Sequence, residues 1–553
     1  MAQAILALRS TMPALSAVGA AAGSGCLGGG CLGAGALWAL LLGRQQAPAP
    51  QQEACASPPA WSPKKYASPP THLRRDVPSL ANGHARGGGD RVSSDAWLTR
   101  NMAELNRVGG VERDLDKRAF VELLRKLIAE SRRLQNNPRL GIHPQEKLAA
   151  AIVMQELEPY CAPAGGPLLV EELEFKPGRS NLKVTYPGTT SQTVAFVGSH
   201  FDVVPADPET WDRDPFELTE DGDKLYGRGT TDCLGHVALL TRLLAELGRA
   251  RPALKRTIVV LFIAGEEGGE MGVGVDVALE KGKLDEVKGG PVYWIDCADS
   301  QPCCGSSGML SWSLKCSGRL FHSGFPHKAI NSIELAFEAA SLIQQRFYDD
   351  FPPHPSEEKY QFGTGSHMKP TQIECAKGSL NQICPETTVS GDIRLSPFYE
   401  VEDVVQAIEQ YVQELNEDMG TFSGRGSWSS FVLPESVQVQ ANELKRGKVE
   451  LKWHGGMETF KVYAGIAVRL DSEGHKALVQ ACRETYASVK PFSVSGSLPL
   501  VKMMQKSGFD IQLAGFGLMS VYHGVNEYCT LSDMIKANEV ILRLICLLEA
   551  VVT

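Results

Sequence analysis

The fold is decided by three segments, VAFVGSHFDVV at residues 194–204, YGRGTTDCLGHVALL at residues 226–240 and TIVVLFIAGEEGG at residues 257–269. The first and third begin as short apolar runs, which predict buried strands. The second continues into an apolar stretch that predicts a helix over residues 234–247. Because open α/β sheets bind ligands where their parallel strands end, the polar residues at these ends are expected to line one crevice.

These strand and turn ends carry one histidine and four acids, namely His200, Asp202, Asp232, Glu266 and Glu267. Carboxylates that share a crevice repel one another, and a divalent cation relieves that repulsion. A mixture of imidazole nitrogen and carboxylate oxygen suits zinc, cobalt or manganese better than calcium or magnesium. Each acid alone could be a helix cap or a turn residue, and His200 alone could be an ordinary buried histidine. The joint pattern is what predicts a metal site.

This order of motifs, H-x-D, then G-R-G-x-x-D, then E-E, resembles the co-catalytic metallopeptidase family of acetylornithine deacetylase, succinyl-diaminopimelate desuccinylase, aminoacylase and carboxypeptidase G. The resemblance implies an α/β, zinc-peptidase-like catalytic domain with a mixed, mostly parallel sheet and an inserted ferredoxin-like lid and dimerisation domain. It further implies two divalent metal ions, zinc or cobalt, a small N-acyl amino acid as substrate, and a homodimer formed through the lid.

The metal ligands that the resemblance implies are His200, Asp232, Glu267, Asp296 and His523. Asp232 would bridge the two ions, with one histidine and one acid on each side. Two acids follow the apolar run at residues 291–295, and the resemblance favours Asp296 over Asp299 because it stands twelve residues before Gly308. Asp299 remains the alternative ligand.

Catalytic and substrate-binding roles also follow from the resemblance. Glu266 would be the general base, and Asp202 would orient the ring of His200 through its free N–H. His322, in the segment FHSG, would reach the oxygen of the tetrahedral intermediate, often in the partner subunit's site. The residues expected to hold substrate are Asn381, Arg394 and Glu527. Arg394 could equally form a surface ion pair, and Glu527 could equally cap a helix.

Four segments divide the chain of 553 residues. Residues 94–308 and 471–553 are expected to form the catalytic domain, and residues 309–470 the lid. Within the lid, the hydrophobic patterns predict strands near residues 311–316, 371–376, 389–395 and 449–453, with helices over residues 329–348 and 401–415. This order of strand, helix, strand, strand, helix, strand is the ferredoxin-like order.

Residues 1–93 are predicted to be a targeting segment and a disordered linker. The first 52 residues contain no acid and are rich in Ala, Gly, Leu and Ser, which is typical of an organellar transit peptide. Residues 45–90 are rich in Pro, Ser and Gly, as linkers are. A plastid is favoured over a mitochondrion, and a cytoplasmic protein or one anchored to a membrane by the N-terminal apolar segment is the alternative.

Composition narrows the class of partner. The net charge of −9, from 55 basic and 64 acidic residues, argues against a nucleic-acid partner. The fourteen cysteines show neither zinc-ribbon spacing nor the density of a small secreted scaffold, so reduced thiols are expected. Cys233 and the adjacent pair Cys303 and Cys304 are assigned to packing.

Within the family, residues 115–550 resemble most the acetylornithine deacetylase branch of plant type, notably in GRGTTDCLGHVAL (227–239) and YWID (293–296). The implied reaction is hydrolysis of N2-acetyl-L-ornithine to L-ornithine and acetate, a step of arginine biosynthesis. A dipeptidase or an aminoacylase would use the same metals, so both remain alternatives. A non-catalytic binding protein on the same fold would be expected to have lost a ligand or Glu266, and neither loss is present.

Overall fold

The computed structural model describes residue 111 and residues 114–551, without 138–139, 298, 423–425 and 427. The targeting segment and linker predicted over residues 1–93, and the predicted start of the catalytic domain at residue 94, lie outside these residues. None of the helices that the structure describes is both long enough and apolar enough to cross a membrane.

Strands and helices alternate through the described chain. The strands are β1 Leu169–Lys176, β2 Arg179–Tyr186, β3 Thr193–His200, β4 Thr219–Asp221, β5 Lys224–Tyr226, β6 Thr257–Ile263, β7 Pro291–Ile295, β8 Cys303–Ser306, β9 Gly308–Ser317, β10 His367–Cys375, β11 Glu386–Leu395, β12 Lys448–Trp453, β13 Ile466–Ala467, β14 Phe492–Val494, β15 Asp510–Ala514 and β16 Tyr528–Thr530. The α-helices are α1 Lys117–Leu134, α2 Glu146–Leu157, α3 Leu234–Ala250, α4 Val275–Glu280, α5 Ser332–Asp350, α6 Ser356–Lys359, α7 Val401–Glu417, α8 Met457–Val462, α9 Glu473–Thr485, α10 Val501–Lys506 and α11 Leu531–Val551.

The larger sheet is mixed, as predicted, with its parallel strands at the centre. Its order is β1-β2-β6-β3-β7-β15-β8-β13, and β14 pairs with β8. The neighbours β6, β3, β7 and β15 are parallel, whereas β1, β2 and β13 join by antiparallel pairing. All eight residues of β3 are buried, which explains why this strand is a nearly continuous apolar run in the sequence.

Successive side chains of β3 point to opposite faces of the sheet and enter two different cores. Val194 and Phe196 pack in the cluster that contains α1, α2, α3, α9 and α11, and Ala195 and Val197 pack in the cluster on the other face. The ring of Phe196 stacks on Tyr293 of the neighbouring strand, with centroids 5.7 Å apart. The sheet is therefore covered on both sides, so its strand ends are held rigidly.

The lid is a separate four-stranded antiparallel sheet in the order β10-β11-β9-β12. Residues on β9 alternate, and Leu310, Trp312 and Leu314 pack with apolar side chains of α5 and α7 in a core of their own. The element order β9, α5, β10, β11, α7, β12 confirms the ferredoxin-like prediction. The short helix α6 is an addition that the sequence pattern did not indicate.

Several boundaries differ from the predicted ones. Helix α5 begins at Ser332, where the side chain of Asn331 accepts a hydrogen bond from Ile333, and not at residue 329. β10 begins four residues before the predicted start at 371. The chain rejoins the larger sheet at β13, residues 466–467, shortly before the expected resumption at 471.

Two chain crossings connect the lid to the catalytic unit. The chain leaves through Gly308 and returns through α8 and Tyr463, and the N–H of Met309 donates to the carbonyl oxygen of Tyr463 at 3.1 Å. A Cβ atom at Gly308 would lie 3.0 Å from the nitrogen of Gly465, so the backbones of the two crossings pack closely against each other. They form one hinge, which we call the lid hinge (residues 308–309 and 463–465).

Candidate metal centre

The five predicted ligands lie together at the carboxyl ends of the central parallel strands. His200 is the last residue of β3, Asp296 follows β7, and Glu267 lies in the turn after β6. Asp232 stands just before α3, and His523 follows β15. Because the parallel strands end at the same edge of the sheet, residues separated by more than 300 positions in sequence meet in one crevice.

Asp232 joins two groups of ligands. Its Oδ1 lies 3.1 Å from Nε2 of His200, which itself lies 3.4 Å from Oδ1 of Asp296. Its Oδ2 lies 2.9 Å from Nε2 of His523, which lies 3.1 Å from Oε2 of Glu267. Each carboxylate oxygen of Asp232 therefore serves one side, which is the arrangement that a ligand shared by two ions requires.

The donor set fits divalent metal ions. His200, Asp232 and Glu267 offer donor atoms within 4.8 Å of one another. Oδ1 of Asp296 is buried and accepts no hydrogen bond from the described residues, with Nε2 of His200 3.4 Å away, so it is an acceptor that a cation beside His200 would satisfy. Two imidazole nitrogens with carboxylate oxygens suit zinc, cobalt or manganese.

The electrostatics of the cluster show how strongly it needs positive charge. Burial, with the charge of Asp232, raises the pKa of Glu267 to about 7, and burial also raises the pKa of Asp296. Although burial acts in the opposite direction on Asp232, hydrogen bonds from His200 and His523 hold the pKa of Asp232 below its usual range. Hydrogen bonds to Asp232 and Glu267 raise the pKa of His523 to about 11. Without metal ions, protonated histidines supply the positive charge that the acids require.

Glu266 lies in the same crevice but outside the two closest groups. Its Oε2 is 3.7 Å from Nε2 of His200, farther than the ligand carboxylates, and the side chain is buried. Burial, with the nearby charge of Asp296, raises the pKa of Glu266 well above its usual range. A carboxyl group with a raised pKa beside a ligand cluster is suited to accepting and returning a proton.

Asp202 contacts the predicted ring nitrogen of His200 more closely through its backbone than through its carboxylate. Nδ1 of His200 faces the main-chain carbonyl oxygen of Asp202 at 2.8 Å, whereas the carboxylate is 3.5 Å away. That carboxylate accepts hydrogen bonds from the N–H groups of Glu266 and Glu267, both at 3.1 Å, and from Nδ2 of Asn136 at 2.9 Å. Asp202 therefore orients His200 through its backbone and holds the Glu266–Glu267 turn through its side chain.

Cys233 borders the cluster, and its sulfur has a partner outside it. Nε2 of His236 accepts a hydrogen bond from the N–H of Phe516 at 2.7 Å, so Nδ1 carries the ring proton and faces Sγ of Cys233 at 3.2 Å. Burial lowers the pKa of His236 to about 4, which keeps the ring neutral. His236 was not singled out in sequence because a histidine inside an apolar helix carries no motif. None of the described cysteines is in a disulfide bond.

Glu527 does not occupy either of its predicted places. It is fully buried, and its carboxylate accepts hydrogen bonds from Nη1 of Arg228 at 2.6 Å and from the N–H groups of Gly229, Thr231 and Asp232 at 2.8–3.0 Å. With both carboxylate oxygens engaged in this way, it is neither a substrate contact nor a helix cap. Glu527 holds the loop that carries the bridging Asp232, four residues after the ligand His523.

Asp299 lies apart from the ligand cluster. Its side chain is exposed, its φ of 65° places it in a turn, and its Oδ1 accepts the N–H of Met519 at 3.0 Å. Of the two acids after β7, the structure therefore brings Asp296 to the cluster and leaves Asp299 in the loop beyond it.

The predicted lid residues form an exposed corner away from the cluster. His322 pairs with Gln382 in a β-bridge, and the N–H of Ser323 donates to the carbonyl oxygen of Asn381 at 2.9 Å, so these two segments lie side by side. Among the described residues, no hydrogen bond or ion pair joins this corner to the metal ligands. Arg394 lies on β11 and pairs with Asp392 at 2.8 Å, which is the ion pair given above as its alternative role.

The environment of Glu527 leads to a prediction about Glu527→Gln. The glutamine side chain has one acceptor oxygen where glutamate has two, and it leaves Arg228 buried without a counter-ion. We therefore expect a loss of about 3 kcal/mol in the free energy of unfolding. We also expect weaker retention of metal, because the loop of Asp232 loosens. Urea unfolding and metal content after dialysis are the measurements. Glu414→Gln is the control, since Glu414 pairs with Arg346 at 2.7 Å and both side chains are partly exposed, and equal losses in the two variants would contradict this role.

The chain resembles known proteins in its sequence and in its fold. Residues 196–546 match the profile of peptidase family M20/M25/M40. An acetylornithine deacetylase of Arabidopsis thaliana is 49% identical over 440 residues, which cover 79% of this chain and 97% of that protein. An acetylornithine deacetylase of Dictyostelium discoideum is 46% identical over 446 residues, with 79% and 98% covered.

A solved structure with the same fold is human carnosine dipeptidase 1, with a TM-score of 0.55 and 18% identity over 82% of this chain and 100% of that one. At this identity the likeness concerns the fold alone. The family profile spans more than half of the chain, and both deacetylases are covered almost completely. On this evidence the chain belongs to peptidase family M20/M25/M40.

Proposed function

We propose that this protein is a metal-dependent amide hydrolase that removes the acetyl group from N2-acetyl-L-ornithine, giving L-ornithine and acetate for arginine biosynthesis. The observation that carries the proposal is the position of Asp232, with one histidine and one acid beside each of its carboxylate oxygens. The substrate rests on the two deacetylases that resemble almost the whole described chain.

The cofactors we propose are two divalent ions, zinc or cobalt, held by His200 and Asp296 on one side, by Glu267 and His523 on the other, and by Asp232 between them. When bound, such ions polarise an amide carbonyl and lower the pKa of a water molecule to near neutrality. The charge-rich donor set and the unpaired oxygen of Asp296 support this assignment.

Glu266 is the proposed general base. It takes a proton from the attacking water and then returns it to the amine that leaves as L-ornithine. Its burial favours this role, because a carboxyl group whose pKa is raised can hold the proton between the two transfers. Asp202 keeps the base in place by accepting the N–H groups of Glu266 and Glu267.

The lid supplies the remaining groups in this proposal. A neutral His322 donates to the oxygen on which negative charge develops, and Asn381 and Arg394 hold the substrate. Because His322 and Asn381 lie side by side, one approach of this corner delivers both groups. The corner reaches the site of a partner subunit or closes over its own.

We propose a homodimer formed through β10. This strand is at the edge of the lid sheet, and its residues from Lys369 to Cys375 are exposed. Ile373 on β10 and Phe337 on α5 are apolar and about half exposed, at 49% and 54%. An edge strand with apolar side chains is a surface for pairing with a second sheet.

The test of the reaction is release of ornithine by the full chain. With zinc or cobalt present, we expect selective hydrolysis of N2-acetyl-L-ornithine over N-acetyl-L-methionine, N-succinyl-L,L-diaminopimelate and β-alanyl-L-histidine, and loss of that activity with a chelator. Ornithine and the other amines are measured by chromatography. Preference for another amide would overturn the proposed substrate, and chelator-resistant activity would overturn the metal assignment.

Glu266→Gln tests the general base. Because glutamine cannot accept the proton, we expect kcat to fall by about a thousandfold, with two metal ions still bound per chain. Steady-state kinetics and elemental analysis give the two quantities. The control is Glu280→Gln at the exposed end of α4, which should keep full activity. If Glu266→Gln lost its metal, Glu266 would be a ligand and not the base.

Ile373→Lys tests the proposed dimer. A charge on the exposed face of β10 would face its counterpart across the interface, so we expect the mass measured by light scattering to fall from that of two chains to that of one. Leu169→Lys is the matched control, because Leu169 is equally exposed, at 53%, on the edge strand of the other sheet. A monomeric wild-type protein would refute the dimer directly.

A further inference from the structure

Tyr463 connects the lid hinge to the turn that carries the general base. It is the first residue after α8, and its carbonyl oxygen accepts the N–H of Met309 at 3.1 Å, so it touches both chain crossings. Its hydroxyl donates to the carbonyl oxygen of Gly268 at 2.8 Å. Gly268 follows directly after Glu266 and Glu267, so a single side chain joins the hinge to the catalytic turn.

The turn is therefore held from two sides. From the catalytic unit, the carboxylate of Asp202 accepts the N–H groups of Glu266 and Glu267. From the lid hinge, the hydroxyl of Tyr463 binds the carbonyl oxygen of Gly268. The first contact lies within the catalytic unit, whereas the second is made by a residue of the lid hinge.

The packing between ring and turn is close. Gly269 has a φ of +54°, and a Cβ atom there would lie 2.4 Å from the hydroxyl oxygen of Tyr463 and 2.6 Å from the adjacent ring carbon. No side chain fits at this point, so the turn can approach the ring only with glycine in that position. Burial, with the negative charges of Glu266 and Glu267, raises the pKa of Tyr463 to about 12, so the hydroxyl stays a donor at neutral pH.

We propose that Tyr463 is a positioning residue that couples the arrangement of the lid hinge to the position of Glu266. This inference rests on the proposed function, because it gives Glu266 the role of general base. The corner of His322 and Asn381 reaches a substrate only in a suitable lid position. Through Tyr463, that same position sets the turn of the base, so the two halves of the catalytic machinery are aligned together.

The first test compares Tyr463→Phe with Tyr360→Phe. Tyr360 is also half-buried, and its hydroxyl also donates to a backbone carbonyl, that of Val468 at 3.0 Å, but it has no contact with the catalytic turn. For Tyr463→Phe we expect kcat to fall about tenfold, the size that one hydrogen bond can supply, with KM and metal content unchanged. For Tyr360→Phe we expect wild-type kcat.

The urea midpoint of both variants separates positioning from simple stability. We expect both midpoints to fall by the same small amount, because each variant loses one comparable hydrogen bond. Equal kcat values for the two variants would overturn the proposal. It would also be overturned if Tyr463→Phe unfolded at clearly lower urea than Tyr360→Phe, since the loss of activity would then follow from stability alone.

The second test disturbs the same contact from the other side. Gly269→Ala pushes the turn away from Tyr463, and Gly222→Ala is the control, because Gly222 has a similar φ of +63° and open space around it. We expect Gly269→Ala alone to lower kcat, and its effect to be non-additive with Tyr463→Phe. Additive effects would overturn the coupling. An inactive wild-type protein would instead refute the proposed function.

Discussion

Mutual repulsion among buried carboxylates is the constraint on which the rest of this structure depends. Asp232, Glu266, Glu267 and Asp296 lie within one crevice, each within 4 Å of a nitrogen of His200 or His523. Asp232, Glu266 and Asp296 are at least nine-tenths buried. Such a cluster is unfavourable unless positive charge is brought to it. The Nε2 atoms of the two histidines face the carboxylate oxygens, and divalent cations bound between them would supply that charge.

Two further buried acids hold in place the loops that carry this cluster. Asp202 and Glu527 each bind backbone N–H groups of the loops on which the ligands stand. Arg228 neutralises Glu527, whereas Asn136 supplies a neutral donor to Asp202. Carboxylates thus act in two ways here, since some face the crevice as candidate metal ligands and others lie behind it and fix the loops.

The lid is organised on a different principle. Its sheet and helices have their own hydrophobic core, separate from those of the catalytic unit. It is attached by two closely apposed chain crossings, and Tyr463 lies where they meet. His322 and Asn381 lie side by side on this lid.

Sequence by itself determined the main elements and predicted the candidate ligands, with a preference for Asp296 over Asp299. Three features could be predicted because they depend only on residues that are close in sequence. These features are the strongly apolar strands such as β3, the ferredoxin-like order of the lid, and the motifs around His200, Asp232 and Glu267. Tertiary structure alone decided what depends on distant contacts: that Asp296 and not Asp299 joins the cluster, and that Glu527 is a buried support. These outcomes arise from where loops end in space, and no pattern within a single segment encodes that position.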